Sequence, residues 1–163
     1  MGSASLIATA VALVLLIITA YVVVGGILAT SDIVTFSQAE RFQLQEKRLH
    51  TSIDISEITV ANETHTFNMA VNNTGNEKIS QFKYMDIYMI YPGAQPILVP
   101  YTETPGTENT WYASQITPDT IHPNELDPDE SVVITVTYTP GIIPSWIKIA
   151  TPNGVYDSAY IAG

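Results

Sequence analysis

The chain has 163 residues, no cysteine, and 16 acidic against six basic side chains, for a formal net charge of −10. That length suits one compact domain plus a long helix rather than two full domains, because domains cluster near ~100–150 residues. The absence of cysteine removes a disulfide framework, a thiolate zinc site and thiol catalysis together, and the surplus of negative charge disfavours nucleic acid as a partner.

The first charged side chain is Asp32, and residues 1–50 are neutral, with Arg41, Lys47 and Arg48 balanced by Asp32, Glu40 and Glu46. The net charge therefore belongs to residues 51–163, where thirteen acidic groups face three basic ones. Within the first segment, Leu6 to Ala29 is a charge-free run of Val, Leu and Ile. A helix of about 20 residues spans the ~30 Å of a bilayer core, so this run is long enough to cross one. It is apolar on every side, unlike the amphipathic helix of a soluble protein. It is also longer than the ~7–15-residue apolar stretch of a cleavable secretory signal, and no basic residue precedes it. The side chains expected to pack in a helical assembly are Leu6, Ile7, Val11, Leu13, Val14, Leu15, Leu16, Ile17, Ile18, Val22, Val23, Val24, Ile27 and Leu28. Small residues such as Gly2, Ser3, Ala8 and Ala12 would let neighbouring helices approach closely.

Basic residues flank this run only on its C-terminal side, so a literal positive-inside reading would put the rest of the chain in the cytoplasm. A short basic leader before Met1, removed on maturation, would reverse that asymmetry and is expected here. From Ser31 to His50 the sequence turns polar but holds no Gly or Pro, while Ile33, Phe36, Ala39, Phe42 and Leu49 keep an apolar stripe at steps of three or seven. One helix from about residue 4 to residue 50 is predicted, with Gly25–Gly26 as the place for a kink. A tether could stop where the bilayer ends; a helix that continues with an apolar stripe calls for a partner.

Beyond His50 the period changes to two. Ile53 and Ile55, then Phe67, Met69 and Val71, then Ile134 and Val136 alternate with polar neighbours, as half-buried strands do. Further strands are predicted at Phe82–Tyr91, Ile97–Tyr101, Trp146–Ala150 and Val155–Ile161, giving about seven. Thr102–Glu130, with prolines at 105, 118, 123 and 128, reads as a long surface loop. The fold class is α+β: a long N-terminal hydrophobic helix over residues 1–50, then an all-β immunoglobulin-like sandwich, or a related barrel, over 51–163. Two N-x-[ST] sequons, at Asn62 and Asn72, are candidate glycosylation sites if this head lies outside the cell.

Other chemistry is thinly represented. Asp119, Glu125, Asp127, Asp129 and Glu130 could supply oxygen ligands to Ca²⁺, but their spacing is not that of an EF-hand, and a solvated turn before a strand is the expected reading. His50, His65 and His122 stand far apart and have no zinc-ligand spacing. Trp111, Tyr112 and Trp146 could form a sugar-stacking platform, though core or interface packing is the commoner use. Neither a nucleophile elbow nor a phosphate-binding glycine loop occurs, so no enzyme and no cofactor are predicted.

The order of parts, GSASLIATAVALVLLIITAYVVVGGILA, then QAERFQLQEKRLHTSIDI, then an all-β head, resembles the archaellins and archaeal type IV pilins over essentially the whole chain. The segments NNTGNEKIS, LDPDESVVITV and ATPNGVYDSA also resemble the heads of the membrane-anchored archaellum accessory proteins F and G, which share the sandwich and contact the surface layer. The first resemblance implies a homopolymeric extracellular filament, membrane-inserted before assembly, with residues from about 1 to 30 in its core. It also implies separate platform, leader-peptidase and ATPase motor proteins as partners. Many bacterial pilins carry a glutamate near the mature N-terminus; Ser5 stands here, so assembly would rest on apolar packing.

Overall fold

The computed structural model describes residues 2–162; Met1, and with it the question of a leader, lies outside them. One helix, α1, runs over Gly2–His50. It continues through Gly25–Gly26 without unwinding. Eight strands follow: β1 (Ile53–Ala61), β2 (Thr66–Asn73), β3 (Asp86–Ile90), β4 (Ile97–Val99), β5 (Thr110–Thr117), β6 (Ser131–Thr137), β7 (Trp146–Ala150) and β8 (Tyr156–Tyr160). Compact packing separates Met1–Gln43 from Leu44–Gly163, so the last turns of α1 count with the head.

The strands form two four-stranded antiparallel sheets, sheet I in the order β1-β2-β6-β5 and sheet II in the order β4-β3-β7-β8. Their inner faces enclose Phe67, Met69 and Val71 of β2, Ile87 and Met89 of β3, Ile134 and Val136 of β6, and Ile147 and Ile149 of β7, all with no exposed surface. These are the alternating positions of each strand, which is why the period-two reading located the core. Trp111 is the largest buried side chain, packed edge-on to Tyr101 with ring centres 5.0 Å apart.

Three predicted boundaries change. The segment from Phe82 begins with a single 3-10 turn, Phe82–Tyr84, before the strand starts at Asp86. Strand β4 ends at Val99 because Pro100 cannot donate to a ladder; Tyr101 then makes an isolated parallel bridge to Trp111. The long loop expected over Thr102–Glu130 contains β5, a full eight-residue edge strand. A bulge between Ala113 and Gln115 breaks its alternation, which hid it from a search for period two.

Each lateral seam of the sandwich carries a tie between the sheets. On one side the Tyr101–Trp111 bridge joins the segment after β4 to β5. On the other, β1 bulges between Ile55 and Glu57, and the Ile55 amide donates to the Asp157 carboxylate of β8 at 2.8 Å instead of to a strand.

Candidate functional site

Within the chain, all fourteen side chains predicted to pack in an assembly are exposed, and the large apolar side chains from Leu6 to Leu28 show 52–81% of their surface. The threonine hydroxyls in and beside this run are already satisfied. The hydroxyls of Thr9, Thr19 and Thr30 donate to the carbonyls of Ser5, Leu15 and Gly26, four residues back, at 2.6, 2.9 and 2.9 Å. A hydroxyl bonded to its own helix can enter lipid or a dry helix bundle without an unpaired group. Beyond the run, Ile33, Phe36, Phe42 and Leu49 are 68–84% exposed, so the stripe read from sequence is solvent-facing within one chain.

The C-terminal end of α1 is tied into the head. The His50 carbonyl, one of the acceptors that a helix end leaves open, receives the amides of Asn76 and Glu77 at 2.7 and 3.1 Å. The Ser52 carbonyl receives those of Thr74 and Gly75 at 2.9 and 3.1 Å. From the other sheet, Asn153 donates to the Thr51 hydroxyl at 2.6 Å, and Thr51 in turn donates to the Lys47 carbonyl at 2.8 Å. Gly75 is required at this crossing, since a Cβ there would lie 2.5 Å from both the His50 oxygen and the Ser52 nitrogen. The fully buried Asn73 holds the same turn, donating to the Glu77 and Leu126 carbonyls at 2.8 and 3.0 Å. Sequence reading missed this joint: NNTGNE indicates a turn after β2, but not that its glycine meets the end of α1.

The acidic loop is a turn, but two of its acids are not solvated: Asp127 and Glu130 are each only 3% exposed. Their carboxylates are turned inward onto the loop's own amides. Glu130 accepts from the Asp127 amide at 3.0 Å, and Asp127 accepts from the His122 amide at 3.0 Å and the His122 Nδ1 at 2.8 Å. Asp119 accepts from the Asn124 amide at 3.1 Å, and Glu125 pairs with Lys78 at 2.6 Å. Among the described residues, no three acidic or histidine side chains are grouped to hold a metal ion. Burial raises the Asp127 pKa, but the His122 ring and amide and the Lys78 charge outweigh it and hold the carboxyl below its ordinary 3.8. A depressed carboxylate contributes stability that is present above 3.8 and lost as the pH falls through its lower, folded-state value. Acid titration of the head, followed by urea unfolding, should therefore show a stability limb below pH 3.8 that Asp127→Asn removes; an unchanged limb in the variant would discount the Asp127 pairing.

The remaining candidates disperse. Asn62 is exposed in the turn between β1 and β2, its Oδ1 accepting from the Tyr138 hydroxyl at 3.2 Å. Asn72 lies inside β2, paired to Asp54 on one side and Ser131 on the other, and its sequon hydroxyl, Thr74, is bonded to Ser52 at 2.8 Å. His65 packs edge-on against Tyr138, and His122 pairs with Asp127. Trp111, Tyr112 and Trp146 share no surface: Trp111 is core, while the other two belong to different sheets.

The archaeal-type flagellin family model matches residues 2–160. No curated protein matches the chain. Among solved structures, the archaellum periplasmic stator protein FlaG from Sulfolobus acidocaldarius aligns with a TM-score of 0.54 at 23% identity, over 68% of this chain and 99% of that one. A chain of the periplasmic stator complex of FlaF and FlaG from the same organism aligns at 0.53 and 24% identity, over 67% of this chain and 87% of its own. At these identities the likeness establishes the fold. Matched from the first residue of α1 to the last residue of β8, this chain belongs to the archaeal-type flagellin family.

Proposed function

We propose that the chain is the structural subunit of a helical, archaellum-type filament that polymerises through α1, with the acidic head outside. The observation that carries this reading is the exposed apolar surface of α1. Some fifteen large side chains at about 1.5–3 kcal/mol each amount to tens of kcal/mol that water does not accommodate. Lipid can cover only about 20 helical residues. The stripe at Ile33, Phe36, Phe42 and Leu49 extends beyond that length and is served by copies of the same helix. The membrane holds α1 before assembly, and separate motor and platform proteins supply energy and export. Function is structural rather than catalytic. The solvated turn at Asn62, rather than the strand-bound Asn72, takes an N-linked glycan.

A second reading, a membrane-anchored accessory protein, is favoured by the likeness of the fold to FlaG. Electron microscopy and mass spectrometry of sheared surface appendages separate the two. Filaments with this chain as their main component, glycosylated at Asn62 and bare at Asn72, are expected. Recovery of the chain only at low copy in the membrane fraction would establish the accessory role instead.

A further inference from the structure

An antiparallel sheet in a sandwich packs one face on the core and turns the other, polar face to water. Sheet I follows this rule and sheet II does not. The outer face of sheet II presents Leu98, Tyr88, Ile90, Trp146, Tyr156 and Tyr160. Leu98, Tyr156 and Tyr160 are 54%, 59% and 84% exposed, and the register places Tyr88 beside Leu98, and Trp146 between Ile90 and Tyr160. Contiguous apolar surface of this kind marks an interaction site.

The distribution of charge indicates what can cover it. Nine of the thirteen acidic residues of the head lie in turns and loops. Strands β2, β5 and β6 contain no charged residue, so most of sheet I's outer face is an uncharged lattice of Thr, Ser and Asn, exemplified by Thr135 donating to Asn68 at 2.7 Å. On sheet II, Asp86 at one end is offset by Lys148 at the centre, whose ammonium lies 3.7 Å from the Tyr156 ring centre. Two copies of so acidic a head repel wherever their loops meet within a Debye length of ~8 Å. The two outer faces are broad surfaces on which like-charged heads can come into contact. Aromatic hydroxyls and the indole N–H on one face also complement the amides and hydroxyls of the other.

We propose that in the filament the outer face of sheet II on one head docks on the outer face of sheet I on the next, the occupant being a second copy of this chain. This rests on the filament reading and deepens it. The two faces are different and lie on opposite sides of the sandwich, so the contact is heterologous and propagates without closing, as an open helical polymer requires. A glycan at Asn62, at the end of sheet I, leaves the docking face bare, whereas one at Asn72 would stand on it.

Because the chain has no cysteine, cross-linking can be read without background. Asn68→Cys on sheet I and Ser158→Cys on sheet II, both exposed, are introduced singly and together into the full chain in the filament-producing cell, as is a second pair, Tyr112→Cys with Leu98→Cys. Sheared filaments are treated with a flexible bis-maleimide. The paired variants are expected to give a ladder of dimers, trimers and higher species on a denaturing gel, and each single variant to stay monomeric. Filaments that give no ladder with either pair would overturn the docking alone, and dimers from a single variant would overturn it in favour of like-face contact. If the unaltered chain forms no filaments, the polymer reading falls and the docking with it. Where cysteine pairs block assembly, Leu98→Glu is used instead: it should lower the temperature at which filaments dissociate, and Asn68→Lys added to it should restore that temperature. Failure of the second change to restore it would also overturn the proposal.

Discussion

Filaments are expected to disappear from cells whose only copy of this chain carries Val14→Asp and Leu15→Asp. Both positions lie mid-run in α1 and are exposed within one chain. Each carboxylate costs roughly 2.5–3.5 kcal/mol at the centre of an apolar helix environment. Two together reduce an assembly constant by about 10⁴-fold, at 1.4 kcal/mol per decade. The head, stabilised by its own core, should keep its strand signal in circular dichroism. Since these aspartates also hinder membrane insertion, a paired variant is informative. Phe36→Asp with Phe42→Asp falls outside the ~20 residues that a bilayer covers, so insertion is spared while helix packing is not. The filament reading expects this variant to accumulate in the membrane without polymer; a mere anchor would be indifferent to it. Normal filaments from the Val14/Leu15 variant would remove the apolar run from the core, and normal filaments from the Phe36/Phe42 variant would remove the stripe from the helix contacts.

The second large effect is expected at Gly75. Substitution by alanine places a methyl group 2.5 Å from two backbone atoms that belong to the end of α1 and the start of the head. Backbone cannot rotate aside as a flexible side chain can, so the turn must move and release the amides that Asn76 and Glu77 donate to His50. Overpacking of this kind costs about 3 kcal/mol, and a head of this size should lose roughly 10 °C in melting temperature. The comparison is Gly93→Ala, where φ is +75° but nothing lies within 4 Å of the added carbon. There only the conformational penalty of about 1 kcal/mol applies. Equal melting shifts for the two variants, measured on the full chain in detergent, would argue against the joint.

These two sites were not equally legible in the sequence. The apolar run of α1 is a one-dimensional signal: twenty-four charge-free residues rich in Val, Leu and Ile indicate an apolar helix whatever surrounds them, and the helical bounds agree with that. Strands β2 and β7 were readable because each alternates regularly against one core, and β6 because its apolar Val132, Ile134 and Val136 keep that spacing. Strand β5 was not, because its bulge shifts the period in mid-strand and Thr110 and Trp111 are both buried in succession. The inward turn of Asp127 and Glu130 was illegible for a different reason. Each is held by amides that the loop supplies only after it has folded back, and acidic residues beside prolines ordinarily indicate solvent. Gly75 shows the same limit: its necessity comes from a backbone crossing between residues some 23 positions apart, which no local pattern encodes.

The ties across the seams of the sandwich matter most when heads are crowded. In the proposed filament, copies of a β-rich domain would stand side by side for the lifetime of the structure, at a local concentration at which a bare strand edge would recruit its neighbour into runaway cross-β aggregation. The irregularity in β1 and the Asp157 carboxylate set against it deny that edge a regular row of free amides. Edge-to-edge strand addition is thereby disfavoured, and contacts between heads are left to α1 and to the sheet faces.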